Sequence, residues 1–461
     1  MTELHDLTVV EQRDALRARQ ISSLELTEHY LGRIDKYDEG LGAFVERTDD
    51  LARREARRAD EQLRAGSRLP LLGIPTAFKD LQAVAGVPAH LGSAAVTVVP
   101  DSDGPVVGRL RQAGAVTVGT THAPELGPTC FTASAVVGRP AVTPYDTGRY
   151  ASGSSGGAAA AVAAGLVPFA HGSDGAGSLR SPAAVCGLVG FKASRGRVPA
   201  TPSLLSLGIE GVLTRTVPDT AALLDVVAGA RPEELYALPP LTDLERLIAE
   251  RPRPVRVLCW GTSQDEAGRA VSEAARLLAD LGHEVVADRP ALGWDDELRD
   301  HLLVVVTASV AAAARRLPHQ ELLAPYTRWC LEVAHSRPAA DYAAAQAALA
   351  VAASQQLGLA AHVDVVLSPV TAQPAVPVGW FEQDGTGEEC GRRMLEWSAW
   401  TPWANLTGQP AVSLPLHVTA EGLPVGVQLT GARVGDDALL LQLAAAVERA
   451  APFAHRHPVQ W

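Results

Sequence analysis

The pattern of apolar and polar positions divides the chain into three stretches. Over 10–19 the apolar residues recur at helical spacing. A second helix is expected from Ser22 or Ser23 as N-cap to about residue 37, with Glu25 placed for a capping box with Ser22. Residues 43–45 read as a short strand, and 48–65 as a strongly charged helix. Residues 1–66 therefore predict a helical preface to the main body.

From Leu71 the period shortens. Gly73-Ile74-Pro75-Thr76-Ala77-Phe78-Lys79-Asp80 is an apolar run closed by a charged pair. Pro105 suits the first position of a helix, and 115–119 is β-branched and short enough for a buried strand. Alternation of helix and strand continues to about residue 230, which argues for an α/β fold. Pro252 and Pro254 mark a break. Beyond them, strand 255–260, helix 266–281 and strand 283–287 predict a βαβ sub-domain over 252–290. Ala-rich helices fill much of 302–361, and 364–369 is a strand. Residues 370–390 read as a loop rich in Pro, Gly and acids, and 144–149 as a turn-rich loop. Strands at 412–415 and 425–429 and a closing helix at 437–449 complete the pattern. The expected architecture is one large α/β domain over 1–461, a mixed, twisted sheet flanked by helices.

Composition narrows the function. With 47% hydrophobic and 20% charged residues the chain has the profile of a globular protein. A net charge of −12 argues against a nucleic-acid partner or an anionic membrane surface. Apolar runs break well short of the roughly 18 residues a membrane span requires. No signal-peptide pattern opens the chain. The five cysteines are widely spaced, with no CxxC pair, so neither a zinc site nor a disulfide framework is expected and a cytoplasmic location fits. No GxxxxGK[ST] supports a P-loop. Of 40 basic residues only Lys36, Lys79 and Lys192 are lysines. Where charge alone is needed the chain uses arginine. A retained lysine therefore hints at a task arginine cannot do, such as losing a proton near neutral pH.

Two glycine- and serine-rich segments carry the candidate chemistry: Ala151-Ser152-Gly153-Ser154-Ser155-Gly156-Gly157 and His171-Gly172-Ser173-Asp174-Gly175-Ala176-Gly177-Ser178-Leu179-Arg180. A Gly-rich turn before a serine can aim successive backbone N–H groups at one point and stabilise an oxyanion. Several readings of the residues stand side by side. The segments could be plain loops. Gly153 to Gly157 matches G-x-S-x-G, with Ser155 as nucleophile, but that elbow needs a strand immediately before the serine. His171 and Asp174 could join a Ser–His–Asp triad, or His171 could make a structural hydrogen bond. Lys79 could be a base, or the partner of Asp80 in a salt bridge. Lys192 is the rival base.

These segments, with Phe78-Lys79-Asp80, resemble the amidase signature family, whose hallmark is a Ser–cis-Ser–Lys triad. So do Cys186-Gly187-Leu188-Val189-Gly190-Phe191-Lys192, Asn405-Leu406-Thr407-Gly408-Gln409-Pro410-Ala411 and 422–429. The resemblance runs from about residue 7 to 450. It implies the amidase signature fold, with Lys79 as base, Ser154 as the cis-serine and Ser178 as nucleophile. It also implies an oxyanion hole from the N–H groups of Gly175, Ala176, Gly177 and Ser178. Ser155 and Ser173 would support the triad by hydrogen bonds. Asp174 and Arg180 could be catalytic or bind substrate, but such a pair more often braces a Gly-rich turn. The activity implied is hydrolysis of a small-molecule carboxamide through an acyl-enzyme, with no metal or organic cofactor. The chain departs from the family pattern at Ala176, where glycine is usual and where a positive φ would strain alanine, at Ala151-Ser152 and at Ser173.

The substrate pocket is expected from 121–131, the 302–330 helices and 370–403, with Glu125, Cys130, Phe131, Tyr150, Trp380 and Trp400 as candidates. Trp397, Trp400 and Trp403 recur every three residues, a spacing that more often marks core than a pocket. Two alternatives accompany the amidase reading: the glutamine-hydrolysing subunit of a tRNA-dependent amidotransferase, and a catalytically silent homologue. The expected partner is a small amide, in a protein compatible with a homodimer.

Overall fold

The computed structural model describes residues 3–200, 207–231, 233–287 and 292–461. Its centre is an eleven-stranded mixed sheet. In chain order the strands are β1 (Phe44–Arg47), β2 (Pro75–Lys79), β3 (Val116–Thr121), β4 (Val142–Thr143), β5 (Asp146–Tyr150), β6 (Ala170–Asp174), β7 (Val189–Lys192), β8 (Ile209–Thr214), β9 (Arg256–Cys259), β10 (Glu284–Val286), β11 (Val365–Pro369), β12 (Ala411–Val418) and β13 (Pro424–Gly431). The sheet runs β1-β3-β2-β6-β8-β7-β12-β13-β11-β9-β10, and β4 pairs with β5 in a separate ribbon. Strands β2, β3, β6, β7, β8 and β13 are almost wholly buried, as near-continuous apolar and small runs require when helices cover both faces.

The preface forms helices Val9–Arg17, Ser23–Leu41 and Asp49–Arg64. It also adds β1, antiparallel to β3, to the sheet edge. Ser22 caps its helix by accepting from the Glu25 N–H. The full reciprocal capping box sits one helix earlier, between Thr8 and Glu11. At the far edge, β9 is parallel to both β10 and β11. The 252–290 unit thus continues the main sheet rather than standing beside it; residues 288–290 lie outside the described residues.

Three local expectations differ. Asp146–Tyr150 is a strand, not a turn-rich loop. Its poor β formers are held by pairing with β4 and by backbone bonds between Tyr150 and Val376 and between Gly148 and Val378. Within 370–390, Trp380–Glu382 forms a 3₁₀ turn, and Thr386 caps a helix over Gly387–Trp397. The tryptophans spaced by three share no helix: Trp397 ends that one, and Trp403 belongs to Pro402–Thr407.

The helix Gly156–Ala163 is fully buried along its length. Only Gly, Ala and one Val occupy it, so it seats directly against its neighbours. A Cβ on Gly157 would stand 2.5 Å from the Ala43 carbonyl oxygen and the His122 nitrogen. This close seating delivers the preceding serines to the ends of β2 and β6.

Candidate active site

Strands β2 and β6 are parallel neighbours, so their carboxyl ends open on one side of the sheet, where open α/β folds place ligands. β2 ends in Lys79 and β6 in Ser173 and Asp174. The loop before helix Gly156–Ala163 adds Ser154 and Ser155, with a cis peptide between Gly153 and Ser154.

Three serines converge on one amine. Lys79 Nζ lies 2.8 Å from Ser154 Oγ, 2.9 Å from Ser155 Oγ and 3.0 Å from Ser173 Oγ. Ser155 is locked further: its hydroxyl donates to the Ser173 carbonyl at 3.1 Å and accepts from the Ser173 N–H at 3.3 Å. Lys79 is fully buried. Burial lowers its pKa from 10.5 to about 7, against the opposing pull of Asp174 and Glu210. A neutral amine can donate to two of these hydroxyls and take a proton from the third.

The salt-bridge reading of Lys79 falls away. Asp80 turns elsewhere and accepts from the N–H groups of His90 and Gly92 at 3.0 and 2.9 Å. The His171 triad falls too. Its Nε2 pairs with Glu210 at 3.2 Å, across β6 and β8, and among the described residues neither ring nitrogen bonds a serine. Ser155 does follow a strand, but it is wholly buried and held by Lys79 and Ser173, which bars it from being an exposed elbow nucleophile. Lys192, the rival base, is also fully buried, but its amine donates to the Ala193 carbonyl at 2.9 Å.

Asp174 and Arg180 brace the turn between them. Arg180 grips Asp174 through Nε and Nη2 at 2.9 and 2.8 Å, and both side chains are fully buried. Burial pushes Asp174 up, but the Arg180 guanidinium outweighs it and holds the carboxyl well below the usual range. The Asp174 carboxylate also accepts from the N–H groups of Gly177 and Leu179 at 2.7 and 3.2 Å. The left-handed residue of the turn is Gly177, at φ 126°, while Ala176 keeps a negative φ and is not strained. A Cβ at Gly177 would fall 2.2 Å from Thr401 Oγ1, which itself bonds the Ala176 carbonyl at 2.6 Å. One expectation is corrected here. The Gly177 N–H is taken up by Asp174, so the candidate oxyanion donors reduce to Gly175, Ala176 and Ser178, whose N–H groups have no partner among the described residues.

Ser178 is half-buried and lines a cavity of about 370 Å³ with Gly153, Ala176 and Gly177. Among the described residues its hydroxyl makes no hydrogen bond. Of the six expected pocket residues only Cys130 lines this cavity. Glu125 instead ties two segments together, accepting from Ser93 Oγ at 2.6 Å and the Ala324 N–H at 2.8 Å. Phe131 and Tyr150 pack with Phe381 in an aromatic cluster. The Tyr150 hydroxyl donates to Glu382. Trp380 meets Phe381 edge-on and carries Arg393 over its ring. Trp400 lines a separate cavity with Trp260, Trp294 and Trp403. Each of these side chains is engaged by distant partners of its own, which the local sequence does not reveal.

Sequence reasoning missed the second half of the brace. Asn405 donates to the Asp174 carbonyl and carboxylate at 2.9 and 3.0 Å, and Gln428 accepts from Arg180 at 2.7 Å. Both lie in segments whose resemblance to the family was visible, so the signal existed without a role attached. Tyr326 and Met394 line the cavity from the expected 302–330 and 370–403 segments without having been singled out, and Arg299 lies just outside those segments.

Among the described residues no group of three or more His, Cys, Asp or Glu side chains could hold a metal ion, and no helix is long and apolar enough to cross a membrane. All five cysteines are free thiols.

The amidase family profile matches residues 25–440. AmiB2 of Mycobacterium tuberculosis, a protein that bears an amidase name, is 38% identical over 96% of this chain and 97% of its own. A solved 6-aminohexanoate cyclic dimer hydrolase with its substrate superposes with a TM-score of 0.92 at 29% identity, over 99% of both chains. A bacterial aryl acylamidase of the amidase signature enzymes follows at TM-score 0.89 and 25% identity, again over 99% of both chains. Matched by the family profile along most of its length, and superposing end to end on solved members, the chain belongs to the amidase signature family and is a hydrolase acting on amides.

Proposed function

We propose that the chain hydrolyses a small carboxamide through an acyl-enzyme on Ser178, with neutral Lys79 as base acting through Ser154. The observation that carries this reading is the 2.8 Å contact between Lys79 Nζ and Ser154 Oγ, made by an amine whose pKa burial has brought to about 7. An amine of that pKa is unprotonated in a large fraction of molecules at neutral pH and still basic enough to accept a proton.

The steps follow from the groups present. Ser178 Oγ attacks the carbonyl carbon while its proton passes to Ser154 Oγ, and the Ser154 proton passes to Lys79 Nζ. The carbonyl oxygen, now an oxyanion, accepts from the N–H groups of Gly175, Ala176 and Ser178. Each well-placed donor of this kind is worth about 10²–10³ in rate. The C–N bond then breaks, and the proton returns from Lys79 through Ser154 to the departing nitrogen. Water repeats the sequence on the acyl-enzyme: its proton goes the same way, the acyl–oxygen bond breaks, and carboxylate leaves as Ser178 is restored. Arginine at position 79 could not take part, because it stays protonated.

Ala176 keeps a negative φ, so the alanine at this departure from the family pattern leaves the turn unstrained and supports an active enzyme over a silent homologue. The cavity size suits a small amide, and Leu302, Leu303, Val306 and Met394 give it an apolar wall. The direct test is product detection by mass spectrometry on a panel of aliphatic, aromatic and amino-acid amides, anilides and glutamine. Amine or ammonia release by the native chain should vanish in Ser178→Ala. Near-normal release by that variant would overturn the assignment, and release from glutamine alone would favour the amidotransferase-subunit reading.

A further inference from the structure

One wall of the catalytic cavity is a single helix face. Arg299, Leu302, Leu303 and Val306 all line the cavity from the helix Asp296–Ala314, at the i, i+3, i+4, i+7 spacing that puts side chains on one side. The stripe is apolar at its Val306 end and ends in a guanidinium about 10 Å along the axis.

That guanidinium is poorly engaged. Its Nε is buried with no hydrogen-bond partner among the described residues. Its Nη1 reaches Asp296 only at 3.4 Å, and Asp296 is wholly solvent-exposed, where water screens the pair. The neighbouring charges of the cavity are better satisfied. Asp300 pairs with Arg337 at 2.6 Å, and Arg392 is held by Glu389 and Glu396 at 2.5 Å each. Glu388, also on this cavity, is exposed to solvent. Arg299 further stands with Leu395 on the partition to the tryptophan-lined cavity, which half-buries it. Nε is closed off from the cavity, so the donors open to a ligand are at the Nη end, held only by that one screened contact, and the partner a planar guanidinium fork fits best is a carboxylate.

Building on the proposed hydrolase reading, we propose that Arg299 is a specificity-determining residue, and that the preferred substrates are amides carrying a carboxylate at the end remote from the scissile bond. The carboxylate pairs with Arg299, the intervening methylenes lie along Leu302, Leu303 and Val306, and the amide carbonyl reaches Ser178.

Binding separates this inference from the reaction it rests on. Succinamate, adipamate and suberamate would be titrated calorimetrically into Ser178→Ala, against butanamide, hexanamide and octanamide. At least one carboxylate should bind about tenfold or more tightly than its neutral partner. Arg299→Gln in the same background should reduce that preference to less than about threefold, and Arg299→Lys should restore part of it. Equal affinity within every pair, or a preference that survives Arg299→Gln, would overturn the inference. If Arg299→Gln lowers the melting temperature markedly, Arg299→Leu takes its place in the comparison, and a carboxylate preference that survives it refutes the inference. Failure of the hydrolase reading would show separately, as Ser178-independent or absent turnover with binding preference intact.

Discussion

Lys79 and Lys192 are nearly the same residue twice. Each is the last residue of a strand in one sheet, and each is fully buried. In each, burial is the first cause that lowers the pKa from 10.5 to about 7. The charges around them differ in part. Asp174 opposes the shift at both, joined by Glu210 at Lys79 and by Asp437 at Lys192, where Arg180 and Arg195 reinforce it. What separates them chemically is the set of partners. Lys79 meets three hydroxyls, groups that can pass a proton on. Lys192 meets one backbone carbonyl, which can only accept a hydrogen bond. Burial thus makes a lysine basic at neutral pH anywhere in a core; only the hydroxyls give its proton somewhere to go.

The sharpest way to break this comparison is to remove each amine in turn. Lys79→Met should lower kcat/KM by about 10²–10⁴, the usual worth of a positioned base. Lys192→Met should change it less than about threefold, since methionine fills a similar volume without a buried amine. Lys79→Arg should be as inactive as Lys79→Met. Steady-state kinetics on whichever panel amide the native chain hydrolyses decides it. Comparable losses in Lys79→Met and Lys192→Met would mean that the hydroxyls are not what distinguishes the two sites.

The pH profile tests the same distinction by titration. A base works unprotonated, so kcat/KM should fall about tenfold per unit below pH 7 and level off above it, following the pKa of Lys79. Lys192→Met should leave this profile in place although it removes a group of the same pKa. A flat profile from pH 6 to 10 would exclude a neutral-lysine base; a profile displaced by Lys192→Met would assign the titration to the wrong amine.

Smaller effects should come from the supporting hydroxyls. Ser155→Ala removes a contact to Lys79 and the locks on the Ser173 backbone, whereas Ser173→Ala removes one contact to Lys79. One hydrogen bond is worth about 1 kcal/mol, so Ser173→Ala should cost roughly fivefold in kcat, and Ser155→Ala more. Both should spare KM if they act through the lysine. A loss confined to KM in either variant would place that serine against the substrate instead.

How much of this was legible in the sequence follows from the range of the interactions. The scarcity of lysine singled out Lys79 and Lys192 together with Lys36, and the glycine–serine segments marked Ser154, Ser155, Ser173 and Ser178, because unusual residue types leave a local trace. The alternating elements of the sheet were readable for the same reason. What local pattern could not do was tell the lysines apart, since the difference lies in serines 75 and more residues away. The cavity was legible as segments but not as residues: 121–131, 302–330 and 370–403 all supply its wall, yet of the six residues picked only Cys130 does. Its wall joins Cys130, Ser178, Arg299, Tyr326 and Met394 from five separate segments. Phe131, Tyr150 and Trp380 looked like a pocket and instead pack with Phe381. The strand Asp146–Tyr150 escaped notice because its ladder partner and the 376–378 segment stabilise it, not its own residues.

The smallest effect is the one in which the two lysines should behave alike. Each amine is mostly neutral above pH 7 in the folded chain, but stays protonated to about pH 10.5 when unfolded. Across that window the unfolded chain binds one more proton per lysine, so each contributes a rise of stability with pH, of about 1.4 kcal/mol per unit at most. Below pH 7 both states are protonated and the contribution to the slope disappears. Denaturant unfolding at pH 8 and 9 should therefore show a flatter slope in Lys192→Met than in the native chain, and an equal flattening in Lys79→Met. An unchanged slope in Lys192→Met would mean that its amine stays charged in the core, and burial would no longer suffice to explain the basicity of either lysine. Equal slopes with unequal activities would instead isolate the hydroxyl contacts as the whole of the catalytic difference.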